Sequence, residues 1–418
     1  MAEKNILIVG GGPGGYTAAF LAADLGMKVT LIDANPKPGG VCLHRGCIPS
    51  KALLHVAKLI SETKQAKDWG IEFHEPVIHL EKLRDWKNQV IDKMASGLTT
   101  LTKKRGIRHI TGRAIYKNSN SVIVDNDEVI EYDYSILASG SSPLMPDDFG
   151  TKSELVMDST SALDIEKIPD RLLIIGGGYI GLEMGTFYSA LGSKVTIVEM
   201  MENLLPGVDQ DLVRPLFLKL RKNFENIYLN TKVNSLKVND KKVDVIFNKN
   251  IGPKKDSFNR VLVSIGRKPN SNNLGLENTK VNLDSDGFVK ADSFQKTDDP
   301  SILAIGDVIG GAMLAHKASR EAKVAVEVLA GESSGFDNRA LPAVVFTDPE
   351  IAWAGLSEIE AKANGKKVVT ASFPWGASGR ASTLGRNEGI TKLIVEPKTD
   401  KILGVGMVGA GAGELIAE

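Results

Sequence analysis

Residues 5–33 read NILIVGGGPGGYTAAFLAADLGMKVTLID, and residues 171–199 read RLLIIGGGYIGLEMGTFYSALGSKVTIVE. Gly10, Gly12, Gly15, Gly26 and Asp33 of the first stretch recur as Gly176, Gly178, Gly181, Gly192 and Glu199 of the second, each pair 166 positions apart and without a gap. Self-similarity at one fixed offset marks a module carried twice. Each copy opens with a β-branched apolar run (Ile6 to Val9; Leu172 to Ile175), continues as G-x-G-x-x-G, and passes through a helical stretch. A second β-branched run closed by an acid completes the pattern of a βαβ unit.

In such a unit the first glycine makes the tight turn, the second lets backbone amides approach a pyrophosphate, and the third lets the helix pack on the strand. The acid then binds an adenosine ribose. A single G-x-G-x-x-G is compatible with a plain strand-to-helix turn; two complete copies, each with its acid, predict two dinucleotide sites. Glu199 is followed by Met200, Met201 and Glu202, with no arginine placed to neutralise a ribose 2′-phosphate. The second module is therefore expected to prefer NAD over NADP.

At 418 residues and 42% apolar composition the chain exceeds one ordinary core, and two to four domains are expected. Fifty-one basic residues balance fifty-one acidic ones, so no net field recruits nucleic acid or an anionic membrane. No apolar run approaches the ~20 residues needed to span a bilayer. The first strand begins almost at Met1, leaving no room for a secretory leader, and a cytoplasmic location is expected.

The chain has two cysteines, Cys42 and Cys47, in GGVCLHRGCIPSK (residues 39–51), ahead of an amphipathic helical run through Ile60. On a regular helix, residues five apart rise ~7.5 Å and point to different faces, whereas a disulfide wants Cα atoms about 4.4 to 6.8 Å apart. The Cys42 end is therefore expected to be irregular, with Gly39, Gly40 and Gly46 supplying the freedom. A thiolate at a helix N-terminus is stabilised by the positive end of the helix, which favours a reactive pair. A structural bridge and a metal site using Cys42, His44 and Cys47 are the alternatives; the short loop adds little stability, and a closed zinc site wants four ligands.

The segment GGVCLHRGCIPSK resembles the active-site signature of the pyridine nucleotide-disulfide oxidoreductases, most closely their dihydrolipoamide dehydrogenase branch. Ala138 to Pro143, Ser264 to Arg267 with Pro269-Asn270, Ala304 to Asp307, Met313 to His316 and Phe346 to Glu350 resemble further motifs of that family, in its order, over essentially the whole chain. The resemblance implies an α/β fold with two Rossmann-like modules and an α+β interface domain. Residues 1–143 would form the first part of the FAD domain, 144–270 the NAD domain, 271–340 a central segment completing the FAD site, and 341–418 the interface domain.

By the same resemblance FAD is held by Gly10, Gly12, Pro13, Gly14, Gly15, Asp33, Ala34, Lys51, Gly112, Ala114, Gly140, Asp307, Met313, Leu314 and Ala315. NAD is held by Gly176, Gly177, Gly178, Tyr179, Ile180, Glu199, Val233 and Gly266. No resident metal is implied. Asp307 closes a strand-like run, where a carboxylate can accept hydrogen bonds from ribityl hydroxyls; a plain capping role is its alternative. Tyr179 stands where related enzymes carry a smaller aliphatic residue, and is expected to gate the approach of nicotinamide.

The implied reaction begins with a dihydrolipoamide thiolate attacking Cys42. Cys47 leaves as a thiolate, and the electron pair passes through FAD to NAD, with Lys51 paired to Glu183 beside the flavin. Implied partners are a second copy of the chain and the lipoyl domains of 2-oxo acid dehydrogenase complexes or the glycine cleavage carrier protein. The family takes its base, a histidine backed by a glutamate, from a C-terminal segment of the partner subunit. The sequence stops at Glu418 with no histidine beyond Phe346, so a truncated interface domain and impaired turnover are expected. A glutathione or mercuric reductase type of enzyme, and a structural subunit without activity, are the rival readings.

Overall fold

The computed structural model describes residues 4–125, 127–149, 153–248 and 253–418, and these fall into two compact units. One comprises the chain through Pro49, Trp86–Ser142 and Arg267–Asn338; the other comprises Ser50–Asp85, Pro143–Gly266 and Arg339–Glu418.

The first unit is built on a parallel sheet in the order Ile302–Ala304, Tyr134–Leu137, Asn5–Val9, Lys28–Asp33, Arg108–Thr111. Its central strand reads as an unbroken apolar run because both of its faces are covered. Ile6 and Ile8 pack with Ala18, Ala19 and Ala22 of the helix Pro13–Asp24 and with Ala322, Ala325 and Val326 of the helix Ala315–Ala330. Leu7 and Val9 point the other way, into a core shared with Ala114, Tyr116, Val122 and Val124 of a small antiparallel sheet (Ala114–Asn118, Ser121–Val124, Glu128–Glu131).

The second unit repeats that plan. Its parallel sheet runs Asn226–Tyr228, Lys194–Val198, Arg171–Ile175, Arg260–Val263, Val156–Met157. The register Arg171↔Lys194 repeats Asn5↔Lys28 at the same 166-residue offset seen in the sequence. Leu172 and Ile174 face Leu182 and Phe187 of the helix Tyr179–Ala190, whereas Leu173 and Ile175 face a second three-stranded sheet (Lys232–Val238, Val243–Asn248, Lys255–Phe258). The sequence repeat thus extends to the layers on both sides of the sheet.

The second unit also holds an antiparallel sheet in the order Ala343–Val345, Glu350–Gly355, Ile402–Gly409, Ile390–Val395, Val369–Pro374. Its inner residues Val345, Ile351 and Val408 share a core with Leu212, Val213 and Leu216 of the helix Gln210–Asn223. Leu53, Leu54, Ala57 and Ile60 join that core. Residues 50–85, expected with the first domain, fall in the second unit, where the apolar stripe of their helix is buried; the segments 143–266 and 339–418, expected as separate domains, fall in that same unit, and Arg267–Asn270 fall in the first. Among the described residues, no helix is long and apolar enough to cross a membrane.

Candidate functional site

The residues expected to hold the first nucleotide gather at one edge of the first unit's sheet. Gly10 follows Asn5–Val9, Asp33 closes Lys28–Asp33 with Ala34 next, Gly112 follows Arg108–Thr111, Gly140 follows Tyr134–Leu137, and Asp307 follows Ile302–Ala304. All five strands therefore contribute from their carboxyl ends, the edge at which parallel α/β sheets bind ligands. Met313, Leu314 and Ala315 start the helix Ala315–Ala330, and Ala114 starts the strand Ala114–Asn118.

The turn geometry fits a dinucleotide. A Cβ at Gly15 would lie 1.7 Å from Gly10 O, and one at Gly181 would lie 2.3 Å from Gly176 O, so the third glycine of each copy is required by helix-to-turn packing. Among the described residues, a Cβ at Gly12 would meet nothing nearer than Gly40 Cα at 3.9 Å, and one at Gly178 would meet nothing within 4 Å. The second glycine of each copy thus faces open space beside a helix N-terminus, a place suited to a pyrophosphate.

The acids are placed alike. Gly11 N–H donates to Asp33 Oδ2 at 2.5 Å, and Gly177 N–H donates to Glu199 Oε2 at 2.6 Å. The other oxygen accepts from Asn35 N–H at 2.6 Å and Asn35 Nδ2 at 2.8 Å in the first copy, and from Met201 N–H at 2.7 Å in the second. Both carboxylates are buried and hold further lone pairs for ribose hydroxyls. In the second unit Gly176, Glu199 and Gly266 again follow parallel strands, with Gly177, Gly178, Tyr179 and Ile180 leading into the helix. Tyr179 is exposed, while Val233 is buried in the core beneath the second three-stranded sheet.

The cysteine segment is irregular as its spacing demands. Cys42 lies on the short helix Gly40–Arg45, the chain breaks at Gly46 (φ −146°, ψ −108°), and Cys47 opens the helix Cys47–Gln65. The break brings Cys42 and Cys47 close together, both half-buried. The segment is keyed to the phosphate turn: Gly39 N–H donates to Gly11 O at 2.7 Å, and a Cβ at Gly40 would lie 2.5 Å from Gly12 Cα. Tyr16, in the first turn of the helix beyond Gly12, has its pKa raised by burial and then by negative charge on Cys42 and Cys47. It therefore remains a neutral phenol at physiological pH.

Within the second unit Lys51 Nζ pairs with Glu183 Oε2 at 3.4 Å, as expected, and Glu183 is buried. Sequence reasoning missed the groups around this pair. Ser50 Oγ donates to Glu183 Oε2 at 3.4 Å and Phe346 N–H donates to Glu183 Oε1 at 3.0 Å. Also missed was the support for Asp307, whose Oδ2 accepts from Ser141 Oγ at 2.5 Å; Arg267 Nε in turn donates to Ser141 Oγ at 2.7 Å. Glu321 accepts from Gly306 N–H at 2.7 Å and pairs with buried Lys317 at 2.6 Å. Burial raises the Glu321 pKa against the pull of Lys317. None of these contacts has a local motif; each joins residues distant in sequence or hidden within a helix face. Among the described residues, no group of three or more His, Cys, Asp or Glu is placed to hold a metal.

The family model for pyridine nucleotide-disulphide oxidoreductases matches residues 4–322, and the model for their dimerisation domain matches residues 341–418. The dihydrolipoyl dehydrogenase of Buchnera aphidicola subsp. Acyrthosiphon pisum (strain APS) is 43% identical over 418 residues, covering 99% of this chain and 88% of that protein. The dihydrolipoyl dehydrogenase of Geobacillus stearothermophilus is 38% identical, covering 100% of this chain and 89% of that protein. Among solved structures, LpdA from Mycobacterium tuberculosis superposes with a TM-score of 0.89 at 26% identity, covering 99% and 93% of the two chains. The HOCl-induced flavoprotein disulfide reductase RclA from Escherichia coli superposes with a TM-score of 0.88 at 28% identity, covering 99% and 91%.

Proposed function

Because this chain belongs to the pyridine nucleotide-disulphide oxidoreductases, we propose that it catalyses the reaction named in its curated relatives, the NAD-dependent oxidation of dihydrolipoamide. The observation that carries this reading is the pair Cys42 and Cys47 straddling the break at Gly46, docked on the phosphate turn of a dinucleotide fold. When bound, FAD supplies two-electron chemistry between the cysteine pair and NAD. Gly10, Gly12, Pro13, Gly14, Gly15, Asp33, Ala34, Lys51, Gly112, Ala114, Gly140, Asp307, Met313, Leu314 and Ala315 would hold it, and Gly176 to Ile180, Glu199, Val233 and Gly266 would hold NAD.

In the oxidised pair, a substrate thiolate attacks Cys42 Sγ, the bond to Cys47 breaks, and Cys47 leaves as a thiolate. The second substrate thiol then displaces Cys42, so lipoamide departs as a disulfide, two protons are released, and two electrons reside on the cysteine pair. Cys47 is the better thiolate because it opens a helix of nineteen residues, where unpaired N–H groups favour negative charge. Lys51, four residues further along that helix, adds a cation paired with the Glu183 carboxylate. The protein acts as a homodimer through its dimerisation domain, and its dithiol substrate is the lipoyl arm of a 2-oxo acid dehydrogenase complex or of the glycine cleavage carrier.

Anaerobic titration of the purified chain with dihydrolipoamide, followed by addition of NAD or NADP, tests the reading. Flavin that is reduced by the dithiol and reoxidised by NAD but not NADP is the expected result. Response to NADPH with glutathione or mercuric ion instead would favour another disulfide reductase, a reading opposed by the buried Glu199 carboxylate. Flavin inert to every couple would leave a structural subunit. Tyr179, exposed at the start of the NAD helix, gates nicotinamide; Tyr179→Ala should change KM for NAD severalfold while flavin reduction by dithiol keeps its rate. Unchanged NAD kinetics would remove that role.

A further inference from the structure

The ammonium of Lys51 is held by more than its carboxylate. Nζ lies 3.4 and 3.5 Å from the two oxygens of Glu183 and 3.4 Å from Ser50 Oγ. Charge-assisted N–H···O bonds are ordinarily about 2.7 to 2.9 Å long, so these contacts restrain Lys51 weakly. On another side Nζ lies 4.3 Å from the centroid of the Phe346 ring, inside the ~6 Å range in which the negative face of an aromatic ring attracts a cation. The same residue donates its backbone N–H to Glu183 Oε1 at 3.0 Å, the shortest hydrogen bond the pair receives. One residue therefore grips both partners, the cation through its ring and the carboxylate through its amide.

The place of Phe346 is itself fixed. It follows the strand Ala343–Val345, and Val345 is buried in the core that also takes Leu53 and Leu54 from the helix carrying Lys51. Phe346 also lies within residues 341–418, which match the dimerisation domain.

We propose that Phe346 is a positioning residue for the redox reaction: its ring and its amide together set where the Lys51 cation stands. This rests on the assignment of Lys51 and Glu183 to that centre. A hydrocarbon of similar bulk would fill the space and leave Lys51 to the long contacts with Glu183 and Ser50. A fixed cation favours thiolate over thiol, so loosening it should slow the dithiol half-reaction and move its pH dependence upward.

The test is stopped-flow reduction of the FAD-loaded full chain by dihydrolipoamide across a pH series. The wild type is compared with Phe346→Tyr, Phe346→Leu and a chain carrying 3,4,5-trifluorophenylalanine at position 346, which keeps the ring's shape and depletes the charge on its face. The tyrosine variant should stay within about twofold of wild type. The leucine and trifluoro forms should reduce about fivefold more slowly, with the pH midpoint displaced upward. Wild-type rates and pH midpoints in the leucine and trifluoro forms would overturn the proposal while leaving the function intact, and the trifluoro form decides alone if the leucine variant does not fold. A wild type whose flavin ignores dihydrolipoamide would instead overturn the functional reading, and this proposal with it.

Discussion

His109 shows how one side chain can work against the fold that surrounds it. It sits on the strand Arg108–Thr111 opposite Leu31, and its Nε2 is buried without a hydrogen-bond partner among the described residues. Burial lowers its pKa below the ordinary 6.5, and the negative charge of Asp33 opposes that shift. The folded chain therefore binds a proton here less readily than the unfolded chain. The stability linked to this group is complete above the unfolded value and is lost as pH falls below it, down to the lowered folded value. His109→Leu removes the unsatisfied nitrogen and should raise stability by about 1 kcal/mol at neutral pH, where an unpaired buried polar atom typically costs ~1–3 kcal/mol. Its advantage over wild type should widen as pH drops below 6.5. Thermal denaturation midpoints of the two FAD-loaded proteins at pH values on either side of 6.5 check this; a constant difference would remove the titration argument.

The strand–turn–helix element was the most legible part of the sequence, because its demands are local. Gly15 and Gly181 could be assigned from spacing alone, and the structure gives the reason in the two carbonyls that a Cβ would strike. That duplication permits a selective experiment. Gly181→Ala overpacks the second turn, a change that typically costs ~1–3 kcal/mol. It should weaken NAD binding about tenfold while leaving the FAD content near one per chain; Gly15→Ala should do the reverse and yield chain depleted of FAD. Equilibrium NAD binding and flavin-to-protein ratios on both variants decide the point, and equal losses of both nucleotides would show that the turns are not independent. The cysteine element was legible for the same local reason: five residues of spacing and three glycines required a break, and the break is at Gly46. The grip of Phe346 on Lys51 had no such signal, since a ring and a lysine 295 positions apart carry no periodicity that pairs them.

At the scale of the molecule, the apolar periodicity of residues 50–60 announced a helix but not which core would receive it, and only tertiary packing assigns it to the second unit. The same limit applies to the polar joint between the segments 143–266 and 339–418. Lys392 is 2% exposed on the strand Ile390–Val395 and reaches Asp209 at 3.0 Å, Asp211 at 2.9 Å and Glu358 at 2.6 Å. Burial alone would lower its pKa, but hydrogen bonds to Glu358, Asp211 and Asp209 outweigh it and raise the value, so the ammonium persists at every physiological pH. Of the three carboxylates only Asp209 is buried, and it also accepts from Glu358 N–H at 3.0 Å and Ile359 N–H at 3.1 Å. Removing one member of a buried pair typically costs ~3–5 kcal/mol, because the remaining charge is stranded. Asp211 and Glu358 stay hydrated, so Lys392→Met should fall at the low end, about 3 kcal/mol. If the stranded Asp209 charge is the cause, Asp209→Asn should recover part of that loss in the double variant, leaving a cost nearer 1 kcal/mol. Denaturation of the wild type, the two single variants and the double variant closes the cycle. Additive losses would mean that Lys392 acts by packing rather than charge, whereas strong coupling would identify this buried cation as the clamp between the segment 143–266 and the dimerisation domain.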